Sequence, residues 1–125
     1  MDKLKSFEDL NCWKAARELR IEISDLIKNF PESEKFELVS QMRRASRSVT
    51  HNIAEGYGRF HFKENIQFCR VARGSLYELQ DQFITALDEG YIDNKYYLEK
   101  KLKVVECITI LNGYIKYLKS AEANQ

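Results

Sequence analysis

A chain of 125 residues with a net charge of only +1 carries no global polyelectrolyte signal, yet it can bury roughly two thirds of the surface its unfolded form exposes. One proline and five glycines point to long helices and few turns. No apolar run approaches the roughly 18 residues of a membrane span, and the opening MDKLKSFEDL lacks the apolar core of a signal peptide, which argues against a membrane partner.

The first helix is expected from about residue 7 to 30. Ser6 is its N-cap, with Asp9 at the capping-box position. Cys12, Trp13, Ala16, Leu19, Ile23, Leu26, Ile27 and Phe30 recur at helical spacing, and Pro31 stops the run. A second helix, about 34–56, is capped by Ser33 and carries Leu38, Met42, Ala45, Val49 and Ile53. Gly56 and Gly58 end it, because glycine accepts the left-handed conformation of a helix terminus.

The third helix is expected over about 62–89, with Asn65, Cys69, Ala72, Leu76, Leu79, Phe83 and Leu87 on one side and Gly90 closing it. Asp93 caps a fourth, about 94–120, whose inner side holds Tyr97, Val104, Val105, Ile108, Leu111 and Ile115. Nothing alternates with a period of two over a strand's length. Four amphipathic helices with short connections pack most simply as an all-α, antiparallel up-down-up-down four-helix bundle, a single domain over residues 1–125.

Charge is unevenly placed on this frame. Gln41 to Arg73 carries seven basic residues against Glu55 and Glu64, a local +5 that leaves −4 elsewhere. At about 100° per residue, Arg43 and Arg47 lie almost opposite the stripe of Ala45 and Val49, with Arg44 on a flank. Arg70 also points outward, and Arg73 lies at a border. Outward guanidinium groups suit phosphate contacts, and a solvated helix face is the plain alternative. Gln41, Ser48, Asn52 and Glu55 border the core stripe and read as structural, with Asn52 and Glu55 near enough to hold the backbone of the glycine turn. Gly56-Tyr57-Gly58-Arg59 imitates a phosphate loop, but no strand precedes it and no Gly-Lys-Ser/Thr follows.

Gly74 and Tyr77 on the third helix, and Ile110, Tyr114 and Tyr117 on the fourth, fall opposite the expected core sides. A mid-helix glycine costs up to about 1 kcal/mol against alanine, and its usual return is close approach of another backbone. These five residues therefore read as an oligomer interface. Tyr114 and Tyr117 could stack bases instead, but their helix lies outside the basic segment.

Evidence for catalysis is thin. His51 and His61 fall on different elements, no Cys or His has zinc-site spacing, and the Glu-x-x-His pairs of a di-iron bundle are missing. No nucleophile is paired with a base. The expectation is a non-enzyme with no cofactor, no metal and no small-molecule substrate. Cys12, Cys69 and Cys107 are an odd, widely spaced set that suits buried thiols in a reducing cytoplasm.

The run Leu38-x-x-Gln41-x-Arg43-Arg44-Ala45-x-x-Ser48-x-x-x-Asn52-Ile53-Ala54-Glu55-Gly56, then Gly58-Arg59, resembles the bacterial 23S rRNA intervening-sequence proteins. Ala72-x-Gly74-Ser75-Leu76-x-Glu78-Leu79, the opening Phe7-Glu8-Asp9-Leu10-x-x-Trp13 and the Gly90-Tyr91-Ile92 loop extend the likeness over nearly the whole chain. These proteins are similar to the accessory variability determinant of diversity-generating retroelements. The resemblance implies a bundle protomer that assembles into a homopentameric ring, binds RNA or DNA and, in one branch, partners a reverse transcriptase. It makes Arg43, Arg44, Arg59 and Arg73 candidate nucleic-acid contacts, to which the helix faces add Arg47 and Arg70. The alternative is a protein-interaction scaffold whose arginines pair with a partner protein or a neighbouring subunit.

Overall fold

The computed structural model describes residues 5–125. Among these, four helices account for the regular structure: α1 (Asn11–Ile27), α2 (Leu38–Gly58), α3 (Phe62–Asp88) and α4 (Asn94–Ala123), with short 3₁₀ turns at Phe7–Asp9 and Glu32–Glu34. Cross-helix contacts tie each helix to its neighbours, and those of α2 with α3 run in opposite chain directions. Ser48 and Gly56 of α2 meet Ser75 and Asn65 of α3. Asn65 and Arg73 of α3 meet Tyr114 and Asn112 of α4. Arg20 of α1 reaches Thr50 of α2, and Glu22 reaches Lys100 and Lys103 of α4, so α1 and α4 close the bundle.

One continuous core fills the interior. Met42, Ile53, Cys69, Ala72, Leu79, Phe83, Ala86 and Val104 have no exposed surface, and burying a side chain of Leu, Ile, Phe, Met or Val size is worth about 1.5–3 kcal/mol. On α1, α2 and α3 the apolar periodicity places the core residues correctly. Leu26, Trp13 and Leu87 are half-buried at its edge. α4 departs from expectation: Val105 is exposed, while Cys107 and Leu118 are buried and Ile110 and Tyr114 pack partly against the core. Apolar residues surround much of α4, including exposed Leu98 and Leu102, so its sequence favours no single inner face.

Helix ends also differ from expectation, each for a local reason. The Ser6–Asp9 capping box forms, but it closes the 3₁₀ turn, and α1 starts only at Asn11. α1 ends at Ile27, so Phe30 enters the core from the connection that follows. Ser33 caps nothing. The Glu34 carboxylate accepts from Leu38 N–H and from the Tyr91 hydroxyl, tying the start of α2 to the α3–α4 turn. The latter bond pushes the Tyr91 hydroxyl up to about 12.

Gly56 is buried inside α2 and does not end it. A Cβ there would lie 2.8 Å from Asn65 Oδ1 and 2.9 Å from Phe68 Cβ, so the missing side chain is what lets α3 approach α2. The left-handed residue after α2 is Phe60, at φ 59°, an uncommon conformation for a bulky side chain. Gly90, at φ 79°, closes α3 as expected, and Asp93 caps α4 by accepting from Tyr96 N–H.

Candidate nucleic-acid interface

The packing of α1 against α2 sets a row of arginines along their seam. Arg43 and Arg47 are one turn apart on the exposed side of α2, and Arg20 of α1 comes to meet them. The three arginines, with Ile21, Ser24, Ile27 and Ser46, line a groove of about 160 Å³ with no Asp or Glu on its lining. Arg20 is half-buried, and its Nη1 donates to the fully buried Thr50 Oγ1 at 3.0 Å, which fixes its direction. None of Arg20, Arg43, Arg44, Arg47 or Arg70 takes part in an ion pair among the described residues. Like charges held together without compensation raise the local potential and favour an anionic partner.

The six arginines read from the sequence do not form one patch. Arg44 and Arg70 are exposed on α2 and α3. Arg59 lies about 18 Å along α2 from Arg47 at 1.5 Å per residue, forms an ion pair with Glu55 at 3.2 Å and sits 5.1 Å from the Phe68 ring centre. Arg73 is half-buried and donates to Asn112 Oδ1 at 2.7 Å, which pins α3 to α4. Arg20 was missing from the sequence reading. Its signal was a position between core residues Leu19 and Ile23, at the edge of the α1 stripe, but only the packing shows which helix that edge faces.

Three of the four border residues, Ser48, Asn52 and Glu55, bond within the protein. Ser48 Oγ meets Ser75 Oγ at 2.8 Å across α2 and α3, and Asn52 Nδ2 donates back to the Ser48 carbonyl at 2.8 Å. Asn52 and Glu55 are thus engaged by Ser48 and Arg59, and neither holds the turn. Gln41 is exposed.

The expected interface residues separate too. Gly74 and Tyr77 are exposed on α3, and a Cβ on Gly74 would meet nothing within 4 Å, so no backbone of the same protomer approaches it. Ile110, Tyr114 and Tyr117 line instead an open cavity of about 800 Å³ at the end of the bundle where α2 hands over to α3. Tyr57, Phe60, His61, Phe62 and Asn65 also line it, with Asp9 and Leu10 from the turn before α1 and Cys12 from α1. Tyr114 and Tyr117 are nearly parallel, 6.3 Å apart. Asn65 Nδ2 donates to the Tyr114 hydroxyl at 3.1 Å, and burial pushes that hydroxyl up to about 12.

The opposite flank of α1 is electrically quiet. Glu22 Oε2 accepts from Lys103 at 2.9 Å, and Glu22 Oε1 accepts from Lys100. Burial pushes the Glu22 carboxyl up, but the two lysines outweigh it and hold it below its ordinary value. Burial drives each thiol of Cys12, Cys69 and Cys107 up to about 12, so all three are poor nucleophiles. No three His, Cys, Asp or Glu side chains among the described residues could together hold a metal ion.

Comparison with known proteins gives a consistent picture. No curated protein matches the chain. A crystal structure of a protein of unknown function from the S23 ribosomal protein family of Bacteroides thetaiotaomicron superposes with a TM-score of 0.77, covering 84% of this chain and 95% of that one at 21% identity. That likeness speaks for the fold. The family model described as 23S rRNA-intervening sequence protein matches residues 8–113. With the bundle and its arginine seam in place, the match over most of the sequence decides membership: the chain belongs to the 23S rRNA-intervening sequence protein family.

Proposed function

We propose that this protein is a non-enzymatic nucleic-acid-binding protein that docks phosphates into the arginine seam between α1 and α2. The observation that carries the reading is the convergence of Arg20, Arg43 and Arg47 on one groove with no Asp or Glu on its lining. Guanidinium forks bond phosphate oxygens in pairs, and each phosphate neutralised releases condensed counterions. Arg44 and Arg70 extend the cationic surface, while Arg59 and Arg73 are secondary contacts because Glu55 and Asn112 already engage them. A family named for an insertion in 23S rRNA makes RNA the first ligand to test.

Self-association belongs to the proposal. A net charge of +1 makes one seam a weak binder, and several seams joined in one assembly multiply effective concentration. Exposed Val71, Gly74, Tyr77 and Ile84 on α3, and Leu98, Leu102 and Val105 on α4, offer apolar surface for it. The family resemblance suggests a ring of five and, in the retroelement branch, a reverse transcriptase partner.

The test is a titration of single-stranded RNA and duplex DNA at several salt concentrations, with Arg20→Ala/Arg43→Ala/Arg47→Ala as the comparison. Loss of three phosphate contacts lowers the log–log salt slope by about 2–3. No binding by the wild type at low salt, or an unchanged slope in the variant, overturns the proposal. Size exclusion with light scattering reads the assembly. The scaffold alternative predicts arginine-dependent capture of an acidic protein with no affinity for nucleic acid.

A further inference from the structure

We infer that the aromatic cavity at the α2–α3 end of the bundle receives an unstacked nucleobase of a single-stranded nucleic acid. The inference rests on the nucleic-acid reading above and adds a second contact of different chemistry.

The tyrosines of α4 lie far in sequence from the basic segment, but the fold brings them to its turn. Phe60 and His61 follow Arg59 in the α2–α3 connection, Phe62 opens α3 just before Lys63, and the three aromatic residues line the cavity together with Ile110, Tyr114 and Tyr117. The cavity therefore sets ring faces next to chain positions that carry Arg59, itself paired with Glu55, and Lys63, while its own lining includes one carboxylate, Asp9. That combination suits single strands, whose bases stack on aromatic side chains while arginine and lysine follow the backbone. Arg59 is directed over Phe68.

The cavity also holds polar atoms that can read a base edge. The Tyr114 hydroxyl accepts from Asn65 and keeps its own proton to donate, and burial keeps it protonated across the physiological range. His61 and Asn11 add further polar groups on the lining. An aliphatic occupant would use neither these groups nor the ring faces.

Phe60 is the most telling residue. The residue is 84% exposed, and its backbone is held in the left-handed region. Neither core packing nor backbone preference explains an aromatic side chain there, and strained positions concentrate at ligand sites. Tyr57, 6.3 Å away, backs the ring from the cavity side.

The experiment uses a short single-stranded oligonucleotide carrying one 2-aminopurine, a matched strand abasic at that position, and free 2-aminopurine riboside. Phe60→Ala and Tyr117→Ala serve as variants because both side chains are largely exposed and leave the core intact. Stacking is expected to quench the fluorescence of strand and riboside. The abasic strand and each variant are expected to bind roughly tenfold more weakly, the scale of one base–aromatic stack. The Arg20→Ala/Arg43→Ala/Arg47→Ala protein is expected to bind the strand less tightly while still quenching the riboside. Equal affinity for abasic and intact strands, with no quenching, overturns the inference and leaves the arginine seam standing. A change in molecular mass in the Phe60 or Tyr117 variants, with affinity unchanged, overturns it in favour of a second copy as the occupant. A wild type that binds no nucleic acid overturns both.

Discussion

Arg20 and Glu22 are two residues apart on α1, yet they serve opposite kinds of seam. On the α4 side, Glu22 is matched by Lys100 and Lys103, and the charges hold the two helices together. On the α2 side, Arg20 joins Arg43 and Arg47 with no Asp or Glu on the groove lining. A partly buried pair of opposite charges stabilises the fold only if both members stay, because the survivor is left desolvated. A cluster of like charges adds nothing to stability, and its effect is to favour an anion from outside.

The comparison can be broken in descending order of effect. Arg43→Glu turns the unpaired seam into a copy of the paired one by setting a carboxylate between Arg20 and Arg47. RNA affinity at about 0.1 M salt is expected to fall on the order of 10²-fold, since one phosphate contact is lost and a repulsive one is added. Thermal denaturation of the same variant should show stability unchanged or raised. A lowered midpoint would mean that Arg43 has a structural task in the fold.

Lys100→Ala/Lys103→Ala attacks the other seam. Glu22 then remains three-quarters covered without a cationic partner, and a cost of about 1–3 kcal/mol in urea unfolding is expected. RNA affinity should not change. The two seams thus dissociate: one variant moves binding and spares stability, and the other does the reverse.

Titration sharpens the contrast more gently. Glu22 has a folded value below its ordinary one, so its contribution is complete above the unfolded carboxylate value of roughly 4.3 and is lost as pH falls through the folded value. Lys103 is raised, chiefly by its hydrogen bond to Glu22, so its contribution is complete below the ordinary lysine value and lost as pH rises through the folded one. Stability measured against pH should therefore be flat through neutrality and fall at the acid end. The acid fall should be shallower in Glu22→Gln. Arg43→Glu should leave the wild-type shoulder in place.

Legibility in the sequence followed amphipathic contrast. On α2 the buried set Met42, Ala45, Val49 and Ile53 and the exposed set Arg43, Arg44 and Arg47 separate cleanly, so both core and arginine face could be read from spacing. On α4 the contrast is weak, and Tyr114, placed outside by its spacing, is half-buried and bonded to Asn65. Helix ends were misread where another local side chain took the capping role, as Glu34 does in place of Ser33 for α2, or where a glycine served packing, as Gly56 does against Asn65. Capping rules describe local satisfaction of backbone groups, and the Gly56 case is settled by a neighbouring helix instead.

By itself, the sequence determined four helices, their buried stripes on α1 to α3, and the outward direction of the second helix's arginines, because helical periodicity is a local property of backbone geometry. Only the tertiary structure decided that Arg20 completes the groove, that Asn112 engages Arg73, and that α4's tyrosines share a cavity with Phe60. Those neighbours are separated by 23 to 57 residues along the chain. Periodicity fixes which side of a helix a residue takes, and packing alone fixes what stands opposite.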